Sequence, residues 1–255
     1  AHHDAAASHA DSHGEATTYL ADPAACVFGP EAYLEHLHAV KQAVGVPVIA
    51  SLNGYTYGGW IDYARRIAAA GADALELNLY YVATDPAESA DELEENAVDI
   101  VRDVKHTVGI PVAVKLSPFY TSLANFAHQL EAAGADGLVL FNRFFEPDID
   151  VENLEVRTHM EMSRSHELLL RLRWLAILSG QRSCSLAVSG GVHTAHDAIK
   201  AVMCGAHCVQ LVAAMMRSGT GVVGELRAAV AAWLQEHGYE SLRQMRGSMD
   251  LSRSP

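Results

Sequence analysis

One lysine in this sequence lies where a side chain is expected to be buried. The chain contains four lysines, and Lys115 directly follows Val-Ala-Val in an apolar segment. Burying an ammonium group is costly unless a carboxylate or an anionic ligand meets it. Two compatible interpretations follow: an internal ion pair with Glu76 of the adjacent segment, and a cation held for an anionic ligand.

Asparagines end three of the other apolar segments, at Asn53, Asn78 and Asn142. Period-2 alternation puts Asn78 on the same strand face as Glu76, with the intervening leucines on the opposite face. An amide both donates and accepts hydrogen bonds, which suits a planar heterocycle with N–H and C=O groups. The alternative is that each asparagine terminates its strand by satisfying loose backbone groups.

A glycine pair follows a later apolar segment, in Ser189-Gly190-Gly191, just before a helix expected to start near residue 194. Backbone N–H groups left bare at a helix N-terminus are suited to binding phosphate. In βα barrels, phosphate commonly binds after the seventh and eighth strands. This segment and the one ending at Ala213 and Ala214 are the last two of the chain, so both are candidate phosphate contacts.

Strands and helices alternate along the sequence from residue 29 onward. The pattern predicts strands near 46–52, 73–79, 111–116, 137–141, 184–189 and 207–212. It predicts helices near 31–43, 57–70, 91–107, 121–133, 165–179, 194–204 and 221–237. Continuous apolar strands separated by amphipathic helices are typical of a parallel sheet, so the fold class is α/β.

An internal repeat of 63 to 64 residues sharpens this prediction. VGVPVIASL (44–52) matches VGIPVAVKL (108–116), and AAAGADALEL (68–77) matches EAAGADGLVL (131–140) and, more loosely, VMCGAHCVQL (202–211). In each copy of the second segment a helix stops at a glycine suited to a left-handed cap. The repeat favours a (β/α)8 TIM barrel, of which about six of the eight strands are visible. The two absent units belong at the N-terminus and would leave two open sheet edges.

Composition excludes several classes of partner. The formal charge is −13, with 18 Lys+Arg against 31 Asp+Glu. We therefore expect no nucleic-acid surface and no membrane association, since both need basic patches or a long apolar span. The sequence reads as a soluble cytoplasmic protein, and its four cysteines are expected to be buried, reduced thiols rather than disulfides or a metal site.

Two segments lie outside the βα pattern. Residues 1–28 form a His- and Ala-rich polar leader, expected to be a loop or disordered, and its histidines are not expected to hold a physiological metal. Residues 29–255 are expected to form the partial barrel domain. Within it, the stretch at about 142–164 is longer than an ordinary βα loop, which is typical of a lid or an interface element.

Five motifs together resemble the dihydroorotate dehydrogenase family, specifically its dihydroorotate dehydrogenase-like branch. They are ELNL (76–79), VKLSP (114–118), LFNR (140–143), SGGV (189–192) and HGYESLRQMRGSM (237–249), and the resemblance covers about residues 29–250. Full-length relatives begin with two further βα units, and the leader matches the loop expected after the second of them.

The resemblance implies an FMN-binding barrel that oxidises dihydroorotate or a related small ring substrate by hydride transfer to the flavin. It implies that Lys115 stabilises the negative charge of the reduced flavin. Asn78 and Asn142 would bind flavin or substrate, Asn53 would contact substrate, and the backbone of Ser189–Gly191 would cradle the FMN phosphate. Relatives of this fold also tend to dimerise, so a homodimer is a possible assembly.

The sequence also departs from the family pattern. The family places its catalytic base, a Cys or Ser, three residues after the Asn of ELNL, where this chain has Tyr81; Thr84 or Tyr80 could substitute. The family often has Gly-Thr or Gly-Ser after the last strand, where this chain has Val212-Ala213-Ala214, which keeps backbone N–H groups but loses a hydroxyl. Two alternatives stay open: a catalytically degenerate or truncated barrel acting as a subunit, and a lyase or aldolase that uses Lys115 as a Schiff-base amine.

Overall fold

Helices and parallel strands alternate along the chain as the apolar pattern predicts. The computed structural model describes residues 29–53, 57–79, 83, 85–143, 146–159 and 161–253. These residues fall into two units, one built from 29–117, 129–136 and 143–161, and the other from 118–128, 137–142 and 162–253. The predictions for the 1–28 leader lie outside the described residues.

The helices and strands have the following bounds. The first half contains α1 (Pro30–Ala43), β1 (Ile49–Leu52), α2 (Tyr57–Ala69), β2 (Ala74–Leu79), α3 (Ala90–Thr107), β3 (Val112–Leu116) and α4 (Leu123–Ala132). The second half contains β4 (Gly137–Leu140), β5 (Glu146–Asp150), β6 (Glu155–His159), α5 (Leu168–Ser179), β7 (Ser185–Ser189), α6 (Ala195–Met203), β8 (Cys208–Gln210), α7 (Ala213–Ser218), α8 (Val222–Glu236) and α9 (Leu242–Met245).

In the first unit, β1, β2 and β3 pair in parallel and in chain order. Leu75 and Leu77 of β2 are fully buried, as are Val101 and Val104 of α3. Apolar side chains of this kind contribute about 1.5 to 3 kcal/mol each when they are fully buried. The face of β2 opposite these leucines is thereby left to carry Glu76 and Asn78.

In the second unit, β4, β7 and β8 pair in parallel, again in chain order. The end of the chain packs on the same unit: Met245 is fully buried against α6, and the Gly247 and Met249 N–H groups donate to the Val202 and Met203 carbonyls. The closing motif of the sequence therefore stabilises this unit.

The predicted α/β class, with six strands of an incomplete βα barrel, is confirmed. Elements that the pattern did not predict are the antiparallel β5–β6 hairpin, within the predicted insertion, and the short helices α7 and α9. The last predicted strand is shorter than expected, because α7 begins at Ala213.

The outer strands carry exposed side chains. Among the described residues, β1 pairs with β2 alone and β8 with β7 alone. Ile49 of β1 is 58% exposed, and Cys208 of β8 is exposed as well. The expectation that every cysteine is buried is therefore wrong for Cys208, because burial of a strand side chain requires a neighbour on that side.

The internal repeat corresponds to a repeated contact at the strand entrances. The Asp73 carboxylate accepts from Lys41 Nζ (2.7 Å) and from the Val48 N–H. One repeat later, the Asp136 carboxylate accepts from Lys105 Nζ (2.7 Å) and from the Val112 N–H (2.7 Å). In each case the aspartate's own N–H donates back to the carbonyl of the same residue. The Asp73 contact thereby joins the entrances of β1 and β2 one step before their ladder begins.

Histidine takes the aspartate position in the third, looser copy. The His207 N–H donates to the Leu186 carbonyl (2.7 Å), and the Leu186 N–H donates to His207 Nδ1 (3.2 Å). Nδ1 can accept this bond only when it bears no proton. Burial, together with the positive charge of Arg246, lowers the pKa of His207 below its ordinary value of 6.5, although a hydrogen bond at Gly205 opposes this.

This contact predicts an acid-sensitive contribution to stability. Because the pKa of His207 is lower in the folded chain, the unfolded chain binds the proton first as the pH falls. The contribution of this contact to the free energy of unfolding is therefore full above pH 6.5, and it is lost as the pH falls toward the pKa of His207 in the folded chain. His207→Asn keeps an acceptor and does not titrate. In urea unfolding at pH 7.5 and pH 5.5, the wild type should lose more stability on acidification than His207→Asn, and equal losses would contradict the assignment.

Candidate active site

The ion pair predicted between Lys115 and Glu76 is present in the first unit. Lys115 Nζ donates to Glu76 Oε1 at 3.3 Å, and the two side chains are 15% and 8% exposed. The parallel register sets Lys115 opposite Asn78, and Glu76 lies two residues before Asn78 on the same face of β2. A diagonal pair of this kind is within reach of long side chains. The strand ladder therefore brings the ammonium and the carboxylate together.

A serine links this pair to Asn78, and the sequence pattern assigned it no role. Ser51 lies opposite Glu76 in the β1–β2 register. Its hydroxyl donates to Glu76 Oε1 (3.4 Å) and accepts from Asn78 Nδ2 (2.6 Å). The result is a continuous network from Asn78 through Ser51 and Glu76 to Lys115. Its signal in the sequence is the i, i+2 spacing of Ser51 and Asn53, which puts both on one strand face.

The network fixes which end of the Asn78 amide can meet a ligand. Within the described part of the chain, both hydrogen bonds of Asn78 use Nδ2, to Ser51 Oγ and to the Leu52 carbonyl (3.3 Å). The amide oxygen is therefore the end available to a ligand N–H group. Asn78 is 9% exposed, so the amide belongs to a largely buried side chain.

Tyr33 of α1 holds the edge strand at the same place. Its hydroxyl donates to the Ser51 carbonyl (3.1 Å) and accepts from the Ser51 N–H (3.0 Å). Burial raises the pKa of the phenol; the hydrogen bond at Ser51 opposes this, and the negative charge of Glu76 adds to the rise. The phenol thus keeps its proton at neutral pH and can donate, which anchors Ser51. Sequence reasoning did not identify Tyr33, because Tyr33 and Ser51 are 18 residues apart and only the packing of α1 brings them together.

The glycine turn of the second unit has a backbone conformation that favours glycine. Gly190 and Gly191 have φ values of +83° and +82°. A Cβ on Gly191 would lie 2.6 Å from the Leu168 backbone nitrogen, so a larger residue cannot fit there. The preceding carbonyl, that of Ser189, accepts from Arg171 Nε (2.5 Å).

The N–H groups around this turn are not bare, which corrects the expectation. The Gly191 N–H donates to Ser163 Oγ (3.2 Å), and the His193 and Thr194 N–H groups donate to Asp197 Oδ2 (3.1 and 3.0 Å). The reason is a capping box in which Thr194 and Asp197 satisfy each other's backbone at the start of α6. Burial alone would raise the pKa of Asp197, but hydrogen bonds from Ser165, His193 and Thr194 outweigh it. The pKa is therefore below its ordinary value, and the carboxylate stays ionised.

The other predicted site residues have separate positions. Asn53 directly follows β1, and its Oδ1 atom is buried. Asn142 is partly buried after β4, while Ala213 and Ala214 form the first turn of α7. Tyr80, Tyr81 and Thr84, the candidates for the base, lie outside the described residues.

Comparison with known proteins identifies the family. The family model described as dihydroorotate dehydrogenase matches residues 27–234. This chain belongs to the dihydroorotate dehydrogenase family. The resemblance carried by the five motifs is thereby confirmed, and the chain is a dihydroorotate dehydrogenase-like oxidoreductase.

Individual relatives agree with this assignment. The dihydroorotate dehydrogenase B (NAD(+)) catalytic subunit of Pyrococcus abyssi is 28% identical over 86% of this chain and 74% of that protein. The corresponding subunit of Anoxybacillus flavithermus is 30% identical over 79% of this chain and 66% of that protein. Membership of this family indicates a small-molecule substrate.

Across the described residues, every helix is too short or too polar to cross a lipid bilayer.

The buried ion pair predicts a loss of stability when one partner is removed. Glu76→Ala takes away the carboxylate that the Lys115 ammonium contacts, and it should lower the free energy of unfolding by about 3 kcal/mol. The double variant Glu76→Leu/Lys115→Met replaces the pair by apolar groups and should recover most of that loss. Urea unfolding followed by circular dichroism measures both variants.

A matched control is the exposed pair of Arg65 and Asp62, whose side chains are 62% and 58% exposed. Asp62→Ala should change the free energy of unfolding by less than about 0.5 kcal/mol. A loss as large as that of Glu76→Ala would show that burial does not set the energy of the Lys115 pair.

Proposed function

We propose that this chain binds FMN and oxidises dihydroorotate, or a closely related dihydropyrimidine, at the carboxyl ends of its strands. The observation that supports this most strongly is Lys115, a largely buried ammonium group held by Glu76 beside the Asn78 amide. The family match gives the chemical class, and these three side chains fit an anionic heterocycle.

The donor set of the first unit fits a flavin or pyrimidine ring. Such a ring presents both N–H and C=O groups along one edge. Lys115 offers a charged donor, and Asn78 offers an acceptor through its amide oxygen. Asn53 adds a buried amide oxygen after the neighbouring strand. In the second unit, Asn142 follows β4 and is the amide that the resemblance assigns to flavin or substrate. When bound, FMN supplies the acceptor for the hydride and its two electrons.

Lys115 has a defined role in this proposal. Its positive charge stabilises the negative charge that develops on the ring at the end of hydride transfer, in a site where water is largely excluded. Glu76 holds the ammonium, and Ser51 in turn donates to Glu76, so little reorganisation is needed when the charge develops. Asn78 orients the ring through its amide oxygen.

The oxidation also requires removal of a proton from the carbon next to the hydride donor. At the family position of the base this chain has Tyr81, whose ordinary pKa is about 10, and Thr84 follows three residues later. We assign proton removal to Tyr81, with Thr84 as the second candidate. The resemblance assigns the flavin phosphate to two segments of the second unit: the glycine turn, Ser189–Gly191, and the residues Ala213 and Ala214 that begin α7.

The direct test is flavin binding followed by reduction. Apo-protein mixed with FMN should develop a protein-bound flavin spectrum, and anaerobic dihydroorotate should then bleach the flavin band near the blue end of the visible spectrum. Bound flavin that no dihydropyrimidine reduces would favour the degenerate-subunit alternative. Borohydride trapping of a carbonyl substrate on Lys115, without flavin, would favour the lyase alternative.

The proposal predicts a change in flavin potential when the charge at Lys115 is removed. Lys115→Gln should lower the two-electron midpoint potential of bound FMN by about 30 to 60 mV, the equivalent of one charge-assisted hydrogen bond. It should also slow reduction by dihydroorotate by about 100-fold or more. Lys115→Arg keeps the charge and should shift the potential less. Lys200→Gln on the exposed surface of α6 is the control and should leave both values unchanged.

The assignment of the base predicts a second effect. Tyr81→Phe removes the phenol and should slow flavin reduction by about 100-fold or more at pH 8, since general bases contribute about that much. Flavin affinity should stay within about twofold of wild type. If Thr84→Val slows reduction and Tyr81→Phe does not, the base is Thr84; stopped-flow absorbance of both variants distinguishes the two.

A further inference from the structure

An arginine occupies a core position of helix α5. Leu168, Arg171, Leu175 and Leu178 form the buried stripe of this helix, at helical spacing. Arg171 is only 7% exposed, although arginine is among the residues most rarely buried. A guanidinium in such a position needs a reason beyond packing, because burying its charge costs several kcal/mol.

The guanidinium lies against the glycine turn that follows β7. Its Nε donates to the Ser189 carbonyl (2.5 Å), and NH1 donates to the Glu167 carbonyl (2.8 Å). NH2 lies 3.0 Å from the position that a Cβ on Gly190 would take. A positive charge is therefore held beside the backbone of Gly190, and the carbonyl contacts fix the plane of the guanidinium.

Because of the other polar groups at this turn, a phosphate could bind here only with help from a positive charge. The carboxylate of Asp197 binds the His193 and Thr194 N–H groups, and the Ser163 hydroxyl binds the Gly191 N–H. The helix start is thus already satisfied by a negative charge. A phosphate bound at the turn would meet repulsion from Asp197, and the Val212-Ala213-Ala214 segment offers it no side-chain hydroxyl.

We propose that Arg171 supplies the positive charge that holds the phosphate monoester of the flavin at the Gly190–Gly191 turn. This inference rests on the proposed function, since it assumes that the ligand is FMN. It extends that function by assigning phosphate recognition to a buried side chain on α5. A fixed guanidinium near a phosphate dianion binds it more strongly than neutral N–H donors do.

A purely structural role for Arg171 makes a different prediction. If the guanidinium only holds the Ser189 and Glu167 carbonyls, removing it should weaken every ligand of the site to the same extent. If it binds phosphate, the loss should appear for FMN and not for riboflavin, which has the same ring without the phosphate. The ratio of the two dissociation constants therefore separates the two roles.

The experiment titrates FMN and riboflavin into apo-protein and follows flavin fluorescence. In the wild type, FMN should bind more tightly than riboflavin. In Arg171→Gln, FMN affinity should fall by about 10-fold to 100-fold, the range of a charge-assisted hydrogen bond. Riboflavin affinity should stay within about twofold. Arg227→Gln, an exposed change on α8 that removes the same charge, should leave both affinities unchanged.

Arg171→Lys covers the case in which Arg171→Gln does not fold, because lysine keeps the charge but not the planar contacts. If Arg171→Lys retains tighter binding of FMN than of riboflavin, the inference is supported. An equal loss for the two flavins in either variant overturns it, as does a wild type that binds FMN and riboflavin equally. A wild type that binds neither flavin overturns the proposed function itself.

Discussion

A buried ammonium group constrains the first unit more than any other feature. The Lys115 ammonium is largely buried and contacts the Glu76 carboxylate, and Glu76 lies within hydrogen-bond reach because the parallel register fixes β2 against β3. Ser51 and Asn78 then complete the network on β1 and β2. Three strands thus have to keep one register for one charge to be tolerated, and that charge is the group best suited to an anionic ligand.

The register itself is set at the opposite ends of the strands. Asp73 and Asp136 join the residues that precede their strands through one carboxylate and one backbone N–H each. A shift by one residue would move every polar side chain of the face to the helix side. The Asp73 contact therefore supports the register that places Glu76 and Asn78 further along β2, although Asp73 takes no part in the chemistry.

The glycine turn of the second unit illustrates a limit of reading motifs. Gly190 and Gly191 look like a phosphate loop with open N–H groups, yet the Gly191 N–H is bound by Ser163, and those of His193 and Thr194 by Asp197. The glycines are needed in any case, because α5 approaches so closely that a side chain on Gly191 would overlap Leu168. The positive charge at this turn comes from Arg171, which lies 18 residues before Ser189 in the chain.

The sequence by itself determined the α/β class, the repeat, six of the strands, and the pair of Lys115 with Glu76. These follow from local pattern, since apolar periodicity and strand alternation fix which side chains share a face. It did not predict Tyr33, Ser51 or Arg171 as partners of the site, nor the capping of the N–H groups near Gly191. The contacts of Tyr33 with Ser51, of Ser51 with Glu76 and of Arg171 with Ser189 join residues 18 or more positions apart, so only the tertiary structure brings them within hydrogen-bond distance. The same holds for Ser163 and Gly191, whereas the cap on the His193 and Thr194 N–H groups is local, because Asp197 lies four and three residues away.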